Sequence, residues 1–171
     1  MRSRIQELLA GLEEAEVRYL VVGGVAVVLH GYLRTTLDLD LVIELEKGNL
    51  SRAVEVFSRL GLQPRLPVAL NELTESEKRA EWIREKHMTV FSLWHPDDPT
   101  LAVDLFVDEP FDFEETYRRA LSVRLPETPA KVIGLEDLIR MKEAAGRPVD
   151  LQDLEALSRL AAGKRKEAEE P

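Results

Sequence analysis

The sequence predicts an α+β fold, in which a mixed β-sheet is flanked by helices and followed by a C-terminal helical hairpin. A near-continuous apolar segment, YLVV, ends in two glycines before a short apolar helix, and such a segment is typical of a strand buried on both faces. A second segment, DLDLVIE, first alternates acidic and apolar residues and then becomes fully apolar. The last third of the chain carries apolar residues at helical spacing.

The first 62 residues are expected to alternate between helix and strand. Apolar residues at positions 5, 8, 9 and 12 predict an amphipathic helix. The strand YLVV then leads through the glycine turn into the helix VAVVLHG, and DLDLVIE forms the second strand. After it, Lys47 and Gly48 are expected to turn the chain, and NLSRAVEVFSRLG is predicted to be a helix with Asn49 as N-cap and Gly61 as its C-terminal stop.

The middle of the chain combines loops, strands and short helices. Two prolines and the charged stretch NELTESEKRAEWIREK predict loop and a short helix between residues 63 and 86. MTVFSLWH and LAVDLFVD predict two strands joined by the turn PDDPT. FDFEETYRRA predicts one or two helical turns, and LSVRL and AKVIG predict short edge strands between proline-containing turns.

The C-terminal part predicts a helical hairpin. LEDLIRMKEAAG and VDLQDLEALSRLAA both carry a helical apolar pattern, broken at Gly146 and followed by Pro148. We therefore divide the chain into a core at residues 1–133, a hairpin packed on that core at 134–163, and a disordered tail at 164–171.

The composition narrows the possible classes of protein. A chain of 171 residues with 44% hydrophobic residues is long enough for one domain with a proper core. The net charge of −9 argues against a general nucleic-acid coat protein, and the absence of cysteine excludes disulfides, thiolate zinc sites and cysteine nucleophiles. No segment resembles a signal sequence or approaches the roughly 20 apolar residues that cross a bilayer. We expect a cytoplasmic protein without a membrane partner.

Three aspartates stand where a strand would ordinarily carry apolar residues. Asp38 and Asp40 open one strand and share a face, because side chains alternate along a strand. Asp104 interrupts another strand and joins them if the two strands are neighbours. Two unit charges about 4 Å apart repel by roughly 4 kcal/mol at an effective dielectric near 20, so this cluster requires protons or a cation. Mg²⁺, or Mn²⁺ in its place, suits such oxygen ligands and commonly bridges carboxylates to nucleotide phosphates.

Each acid taken singly has an ordinary alternative interpretation. The alternatives are a turn cap for Asp38, a solvent-facing side chain for Asp40, and an ion pair with an arginine for Asp104. The two glycines that follow the first buried strand favour the functional interpretation, because glycines there let the backbone approach a phosphate and offer helix N-terminal amides to it. Together, acids and glycines predict a site for a metal-bound phosphate.

The arrangement VVGGVAVVLHGYLRTTLDLDLVIE, followed by VDLF, resembles the DNA polymerase β-like nucleotidyltransferase superfamily. Its members have a Gly-Gly or Gly-Ser turn, a short helix, an aspartate pair of the form DxD on the next strand, and a third aspartate on a later strand. The matching positions here are Gly23 and Gly24, Asp38 and Asp40, and Asp104. The stretch RTTLDLD looks closest to the minimal bacterial and archaeal enzymes. Gly24 replaces the serine of many members, so any contact of that hydroxyl with phosphate is absent.

The segment RMKEAAGRPVDLQDLEAL resembles the helical hairpin of the abortive-infection toxin nucleotidyltransferases. In those relatives the residues that match Lys142 and Asp150 belong to the active site. A solvated helix lysine and a helix N-cap are the alternatives at these two positions. Arg34 and Thr36, which lead into the acids, are expected to contact the nucleotide, and a surface ion pair is the alternative for Arg34.

The resemblance implies an enzyme that transfers a nucleoside monophosphate from a nucleoside triphosphate to an acceptor hydroxyl. Asp38 and Asp40 would hold one or two magnesium ions on the triphosphate, Asp104 would complete the second ion site and help deprotonate the acceptor, and Lys142 would neutralise the triphosphate. The acceptor stays open between tRNA or another RNA, a partner protein, and a small molecule such as a sugar or an antibiotic.

The alternative function is a non-catalytic or weakly catalytic nucleotidyltransferase-fold binding protein of a toxin–antitoxin pair. The intact set of three acids favours the enzyme over this alternative. The oligomeric state, including a homodimer, is also left open.

Overall fold

A computed structural model describes residues 3–36 and 38–169 of the chain. The elements, in chain order, are α1 (Arg4–Glu14), β1 (Tyr19–Val22), α2 (Gly23–Leu29), β2 (Asp38–Ile43), α3 (Lys47–Arg59), β3 (Gln63–Pro64), a 3-10 helix (Leu70–Thr74), α4 (Ser76–Lys86), β4 (Val90–His95), β5 (Asp98–Phe106), α5 (Phe113–Arg118), β6 (Leu121–Arg124), β7 (Pro129–Val132), α6 (Leu135–Ala145) and α7 (Pro148–Glu169). The predicted α+β class is confirmed.

The strands among the described residues form one mixed sheet of seven, in the order β3-β4-β5-β2-β1-β7-β6. β2 is parallel to β5 and β1 is parallel to β7, while the other neighbours are antiparallel. β1 is buried along its whole length, as a near-continuous apolar sequence predicts for a strand covered on both faces. The order places β2 and β5 side by side near the middle of the sheet.

The core lies on the face of β2 and β5 that is opposite to the aspartates. Leu39 and Leu41 alternate with the acids of β2, and Val103 and Leu105 flank Asp104. All four apolar side chains are at most 2% exposed, and each contributes roughly 1.5–3 kcal/mol by leaving water. On the same side, Trp82 of α4 stacks on Phe91 of β4 with ring centroids 5.2 Å apart.

Helix α3 begins three residues earlier than the sequence predicts. Glu46, and not Asn49, is its N-cap, because the Glu46 carboxylate accepts hydrogen bonds from the amides of Gly48 and Asn49 at 2.9 and 2.8 Å. Asn49 is 1% exposed and instead bonds the backbone of Arg18 and Glu44 at 2.8–3.0 Å. The predicted turn before this helix is therefore its first turn.

Two predictions about the later elements also need correction. Strand β7 is not an edge strand, because it lies between β1 and β6. Helix α7 continues through Glu169, although we predict a disordered tail from residue 164. The tail sequence is rich in Ala, Lys, Arg and Glu, which are strong helix formers. Residues 170 and 171 of the predicted tail lie outside the described residues.

The C-terminal hairpin itself forms as predicted. α6 ends at Ala145, and Gly146 adopts a left-handed conformation with φ +61° that closes the helix. The division between core and hairpin at residues 133 and 134 stays a prediction. None of the helices in the described ranges is both long and apolar enough to cross a membrane.

Candidate active site

The three predicted acids lie on one face of the sheet. The register of the parallel pair β2 and β5 sets Asp40 opposite Asp104, and Asp38 opposite Ala102. Residues opposite each other on adjacent strands share a face at a strand spacing of about 4.8 Å. Asp38 shares that face because it is two residues from Asp40. The structure therefore brings together three carboxylates that are up to 66 residues apart in sequence (104 − 38 = 66).

The carboxyl groups do not yet converge as ligands of a single ion. Among the residues that the structure describes, no three Asp, Glu, His or Cys side chains are gathered tightly enough to hold a metal. Asp104 Oδ1 accepts a hydrogen bond from the Ser92 hydroxyl of β4 at 2.5 Å, and Asp38 is exposed whereas Asp40 is half-buried. A donor set of three carboxylates has the chemistry that a hard divalent cation prefers. A shared ion would require the side chains to turn toward one another.

The negative charge of Asp40 is only partly compensated by its surroundings. Burial is the largest cause that raises the pKa of Asp40, from 3.8 to about 6, and repulsion by the Asp104 carboxylate is the next. Asp38 adds to the rise, whereas a hydrogen bond from the Gly24 backbone and the positive charge of Lys142 oppose it. A cation placed among these carboxylates would relieve the repulsion and favour their charged forms.

Gly23 lies directly beneath the Asp40 carboxylate. Its φ is +63°, and a β-carbon at this position would lie 1.9 Å from Asp40 Oδ2. A β-carbon on Gly24 would lie 2.5 Å from Thr36 Oγ1 and 3.1 Å from Arg34 Nη2. Asp40, Thr36 and Arg34 are therefore all packed against Gly23 and Gly24, the first two residues of α2, which we call the glycine turn.

We expect Gly23→Ala to destabilise the protein more than Gly146→Ala does. Both glycines have nearly the same φ, +63° and +61°, but the nearest atom to a β-carbon at Gly146 is 3.8 Å away. The left-handed conformation alone costs an L-residue roughly 1–2 kcal/mol, and only Gly23→Ala must also displace Asp40. Urea denaturation of both variants measures the difference. Equal losses of unfolding free energy would show that the Asp40 contact does not restrict Gly23.

An ionic cluster, in which Lys142, Asp150 and Asp153 are buried, lies beside the acids. We use this name for Arg34, Lys142, Arg147, Asp150 and Asp153. Lys142 Nζ is 2.8 Å from Asp150 Oδ1 and 2.7 Å from Asp153 Oδ2. Arg34 Nη1 is 2.6 Å from Asp153 Oδ2, and Arg147 Nε is 2.7 Å from Asp150 Oδ2. Three cations meet two carboxylates, which leaves one net positive charge (3 − 2 = 1).

The ionic cluster replaces the alternatives that the sequence suggested for its members. Lys142 is 4% exposed and so is not a solvated helix lysine. Asp150 is the third residue of α7 and so is not its N-cap. Burial acts to raise the pKa of Asp150, but hydrogen bonds from Arg147 and Lys142 lower it to about 2. Arg34 forms an ion pair, but its partner is 2% exposed, so the pair is not the surface ion pair of the alternative interpretation.

Sequence analysis missed two members of the ionic cluster, Arg147 and Asp153. Asp153 follows Asp150 by three residues in DLQDL, a spacing that places both carboxylates on one helix face. Two acids on the buried face of an otherwise apolar helix pattern were a readable signal. Arg147 offered no such signal, since it lies in the turn between the helices.

A cleft of about 560 Å³ opens beside Asp40. Its lining combines residues of the site with apolar and charged side chains. They include Gly23, Asp40, Lys142, Arg147 and Asp150, the apolar Phe106, Pro110, Phe111, Leu138 and Met141, and the charged Asp112, Glu115, Arg119, Asp137 and Arg140. This volume falls within the range of small-molecule sites. The carboxylates of β2 and β5 thus have a cleft on one side, and the strand β4, which carries Ser92, on the other.

Comparison with known proteins identifies the fold. No protein-family model and no curated protein matches the sequence. Among solved structures, the lincomycin-bound lincosamide antibiotic adenylyltransferase LnuA matches with a TM-score of 0.61 at 13% identity, over 94% of this chain and 98% of that chain. ANT(2'')-Ia in complex with adenylyl-2''-tobramycin matches with a TM-score of 0.55 at 16% identity, over 96% of both chains. The chain has the nucleotidyltransferase fold.

A third match supports the same assignment. A nucleotidyltransferase-like structure from Thermotoga maritima has a TM-score of 0.56 at 13% identity, over 93% of this chain and 91% of that chain. The resemblance to the polymerase β-like nucleotidyltransferases that the motifs indicated is thereby confirmed for the fold. At identities of 13–16%, these structural matches establish the nucleotidyltransferase fold and not the substrate.

The structure qualifies one expectation about the nucleotidyltransferase motif. Gly24 lacks the serine hydroxyl of many members, but the Thr36 hydroxyl lies 2.5 Å from the place where a β-carbon on Gly24 would be. A hydroxyl group from the segment before β2 therefore occupies the space beside the glycine turn. Its oxygen also lies 3.4 Å from the carbonyl oxygen of Asp38, to which it donates.

Proposed function

We propose that this protein is a magnesium-dependent nucleotidyltransferase that moves a nucleoside monophosphate from a nucleoside triphosphate to a hydroxyl group of a small molecule. One observation carries the proposal, namely the direct pairing of Asp40 with Asp104 across β2 and β5, with Asp38 on the same face. The nucleotidyltransferase fold supports it, because one matching structure is an antibiotic adenylyltransferase and another is in complex with adenylyl-2''-tobramycin.

Asp38, Asp40 and Asp104 are the residues that would hold the ion, Mg²⁺ or Mn²⁺. Their oxygen donors and the raised pKa of Asp40 fit a divalent cation at this place. The bound ion would supply positive charge to the phosphates and to the attacking and leaving oxygens. Without a cation, adding a triphosphate to these carboxylates is opposed by like-charge repulsion.

The ionic cluster is suited to the phosphate groups of the donor. Arg34 Nη2 and the exposed Arg147 side chain offer N–H donors beside the glycine turn, and guanidinium groups match phosphate oxygens in geometry. Lys142 forms ion pairs with two buried carboxylates. We therefore assign it to stabilising this region more than to direct contact with the phosphates. The nucleoside would then lie in the cleft, against its apolar lining residues.

Asp104 is suited to accept the proton of the acceptor hydroxyl. The Ser92 hydroxyl holds its Oδ1, which leaves Oδ2 available as a general base. The acceptor oxygen forms a bond to the α-phosphorus, the bond from that phosphorus to the pyrophosphate oxygen breaks, and the proton passes to Asp104. The acceptor would lie on the β4 side of the carboxylates, whereas the nucleoside would lie in the cleft on their other side.

A small-molecule acceptor is favoured over tRNA. The chain carries a net charge of −9, and RNA binding relies on an excess of Lys and Arg along one face. The names of two matching structures mention lincomycin and adenylyl-2''-tobramycin. Antibiotics of these two classes are therefore the first acceptors to test.

Metal-dependent nucleotide binding is the first test. We expect ATP, GTP, CTP or UTP to raise the melting temperature only when Mg²⁺ is present, and Asp38→Asn combined with Asp40→Asn to remove that rise. Asp98→Asn is the matched control, because Asp98 lies six residues before Asp104 on β5, about 20 Å away, and pairs with Thr100. An unchanged rise in the double variant would contradict the site assignment.

Nucleotidyl transfer is the second test. Labelled triphosphates are incubated with lincomycin, tobramycin, tRNA and a cell extract, and the labelled product is identified. Transfer to a small molecule supports the proposal, and transfer only to RNA or to a protein contradicts the proposed acceptor. Nucleotide binding without transfer to any acceptor would instead support the binding protein of a toxin–antitoxin pair.

A further inference from the structure

Asp153 occupies a position that the proposed chemistry leaves without a role. It lies on α7 and is 2% exposed. Its Oδ2 forms an ion pair with Lys142 Nζ at 2.7 Å and accepts a hydrogen bond from Arg34 Nη1 at 2.6 Å. Arg34 and Asp153 are 119 residues apart in sequence. The single carboxylate thus connects the segment before β2 to both helices of the C-terminal hairpin.

The guanidinium group of Arg34 is held in a defined orientation. Nη1 donates to Asp153, and Nε donates to the Thr35 carbonyl at 3.3 Å. Nη2 lies 3.1 Å from the position that a β-carbon on Gly24 would occupy, and Gly24 is part of the glycine turn. With two of its nitrogens engaged, the group turns the third toward the turn.

Arg34 needs such a partner because its own segment has no regular secondary structure. The described residues between α2 and β2 form no helix or strand, and arginine has many rotamers to lose when it binds a ligand. A buried carboxylate that fixes the side chain in advance reduces that loss on binding. Lys142 has a second partner, Asp150 at 2.8 Å, whereas Asp153 is the only carboxylate among the described residues with which Arg34 forms an ion pair.

We propose that Asp153 is a positioning residue, which holds Arg34 Nη2 over the glycine turn to meet a phosphate group of the donor nucleotide. The inference rests on the proposed function, in which the donor phosphates lie at this turn. It deepens that function, because it assigns the C-terminal hairpin a part in nucleotide affinity through a residue that does not touch the nucleotide.

A double-mutant cycle tests the inference. The dissociation constant of the Mg²⁺ complex of ATP, GTP, CTP or UTP, whichever the wild-type chain binds most tightly, is measured by calorimetry. The chains are the wild type, Asp153→Asn, Arg34→Ala and the double variant. Each single change is expected to weaken binding about tenfold, as the loss of one charge-assisted hydrogen bond would. The double variant is expected to bind no more weakly than Arg34→Ala alone.

Two additions separate positioning from a purely structural role. Asn49→Ala removes a 1% exposed side chain with three backbone hydrogen bonds, far along the chain from Asp153, so it is expected to lower the melting temperature and leave the dissociation constant unchanged. If Asp153→Asn does not fold, Asp153→Glu takes its place in the cycle. It keeps the charge beside Lys142 but shifts the carboxylate by one methylene, which should also weaken binding.

Two outcomes would overturn this inference and leave the proposed function standing. One is wild-type affinity in the Asp153 variant, and another is the same fold-loss on changing Asp153 whether or not Arg34 is present. A wild-type chain that binds none of the four nucleotides would instead overturn the proposed function, and this inference with it.

Discussion

Asp40→Asn is expected to abolish nucleotidyl transfer while it stabilises the folded protein at neutral pH. Loss of one carboxylate from a group that acts as a unit should lower the rate by about 10³-fold or more. The stability gain has a separate cause, because asparagine removes a buried charge that Asp104 and Asp38 repel. Activity and unfolding free energy should therefore change in opposite senses.

The gain in stability should depend on pH. The pKa of Asp40 is about 6 in the folded state and 3.8 ordinarily, so ionisation destabilises the folded state relative to the unfolded one. This destabilisation is absent below about pH 4, grows between pH 4 and 6, and is constant above pH 6. A shift of about two pKa units corresponds to roughly 3 kcal/mol at most, and partial exposure of the carboxyl reduces this to about 1–2 kcal/mol.

Urea denaturation at pH 4 and pH 7.5 measures this difference between the wild type and Asp40→Asn. The gap in unfolding free energy should be wider at pH 7.5. Asp98→Asn serves as the contrast, because a hydrogen bond from Thr100 lowers the pKa of Asp98, so its loss should slightly destabilise the protein above pH 4. A gain for Asp40→Asn that is equal at the two pH values would show that ionisation of the buried Asp40 carboxyl is not its cause.

Lys142→Met is expected to lower the unfolding free energy by about 3 kcal/mol. The ammonium group forms ion pairs with two carboxylates whose side chains are 1% and 2% exposed. Removing one partner from a buried ion pair typically costs 3–5 kcal/mol. Asp150 and Asp153 each keep an arginine, which places the expected loss at the lower end. Methionine is of similar length, so the loss reports charge more than volume.

Lys78→Met is the matched control for this prediction. Lys78 lies on α4, its side chain is 41% exposed, and its two carboxylate partners are 3.7 and 3.8 Å away. A surface change of this kind alters stability by about 0.5 kcal/mol or less. Chemical denaturation of both variants provides the comparison. Similar small losses would mean that Lys142 is not the buried centre of the ionic cluster.

Local sequence patterns predict much of the site but not its pairings. Asp38 and Asp40 lie within β2, and Gly23 and Gly24 directly follow β1. Alternation along a strand and turn chemistry were therefore enough to single them out. That β2 and β5 are neighbours in register is a tertiary property, which no local pattern specifies. The same holds for Arg34 and Asp153, which meet across 119 residues.

Competition between similar signals explains the errors at the ends of helices. Glu46 and Asn49 both have side chains that can cap α3, and the sequence favoured the asparagine. The fold instead uses Asn49 to bridge the backbones of Arg18 and Glu44. At the other end of the chain, good helix formers extend α7 past the point where the apolar pattern fades.

The ion pair between Arg34 and Asp153 bears on how this chain can be divided. A fragment that stops at residue 133 would keep every strand of the sheet described here, with all three aspartates. It would lose four of the five charged side chains of the ionic cluster and the helical wall of the cleft. The segment that looks most like a separable appendage thus supplies most of the ionic cluster, and exchanging it between relatives would also exchange the charged groups that we propose to serve the donor phosphates.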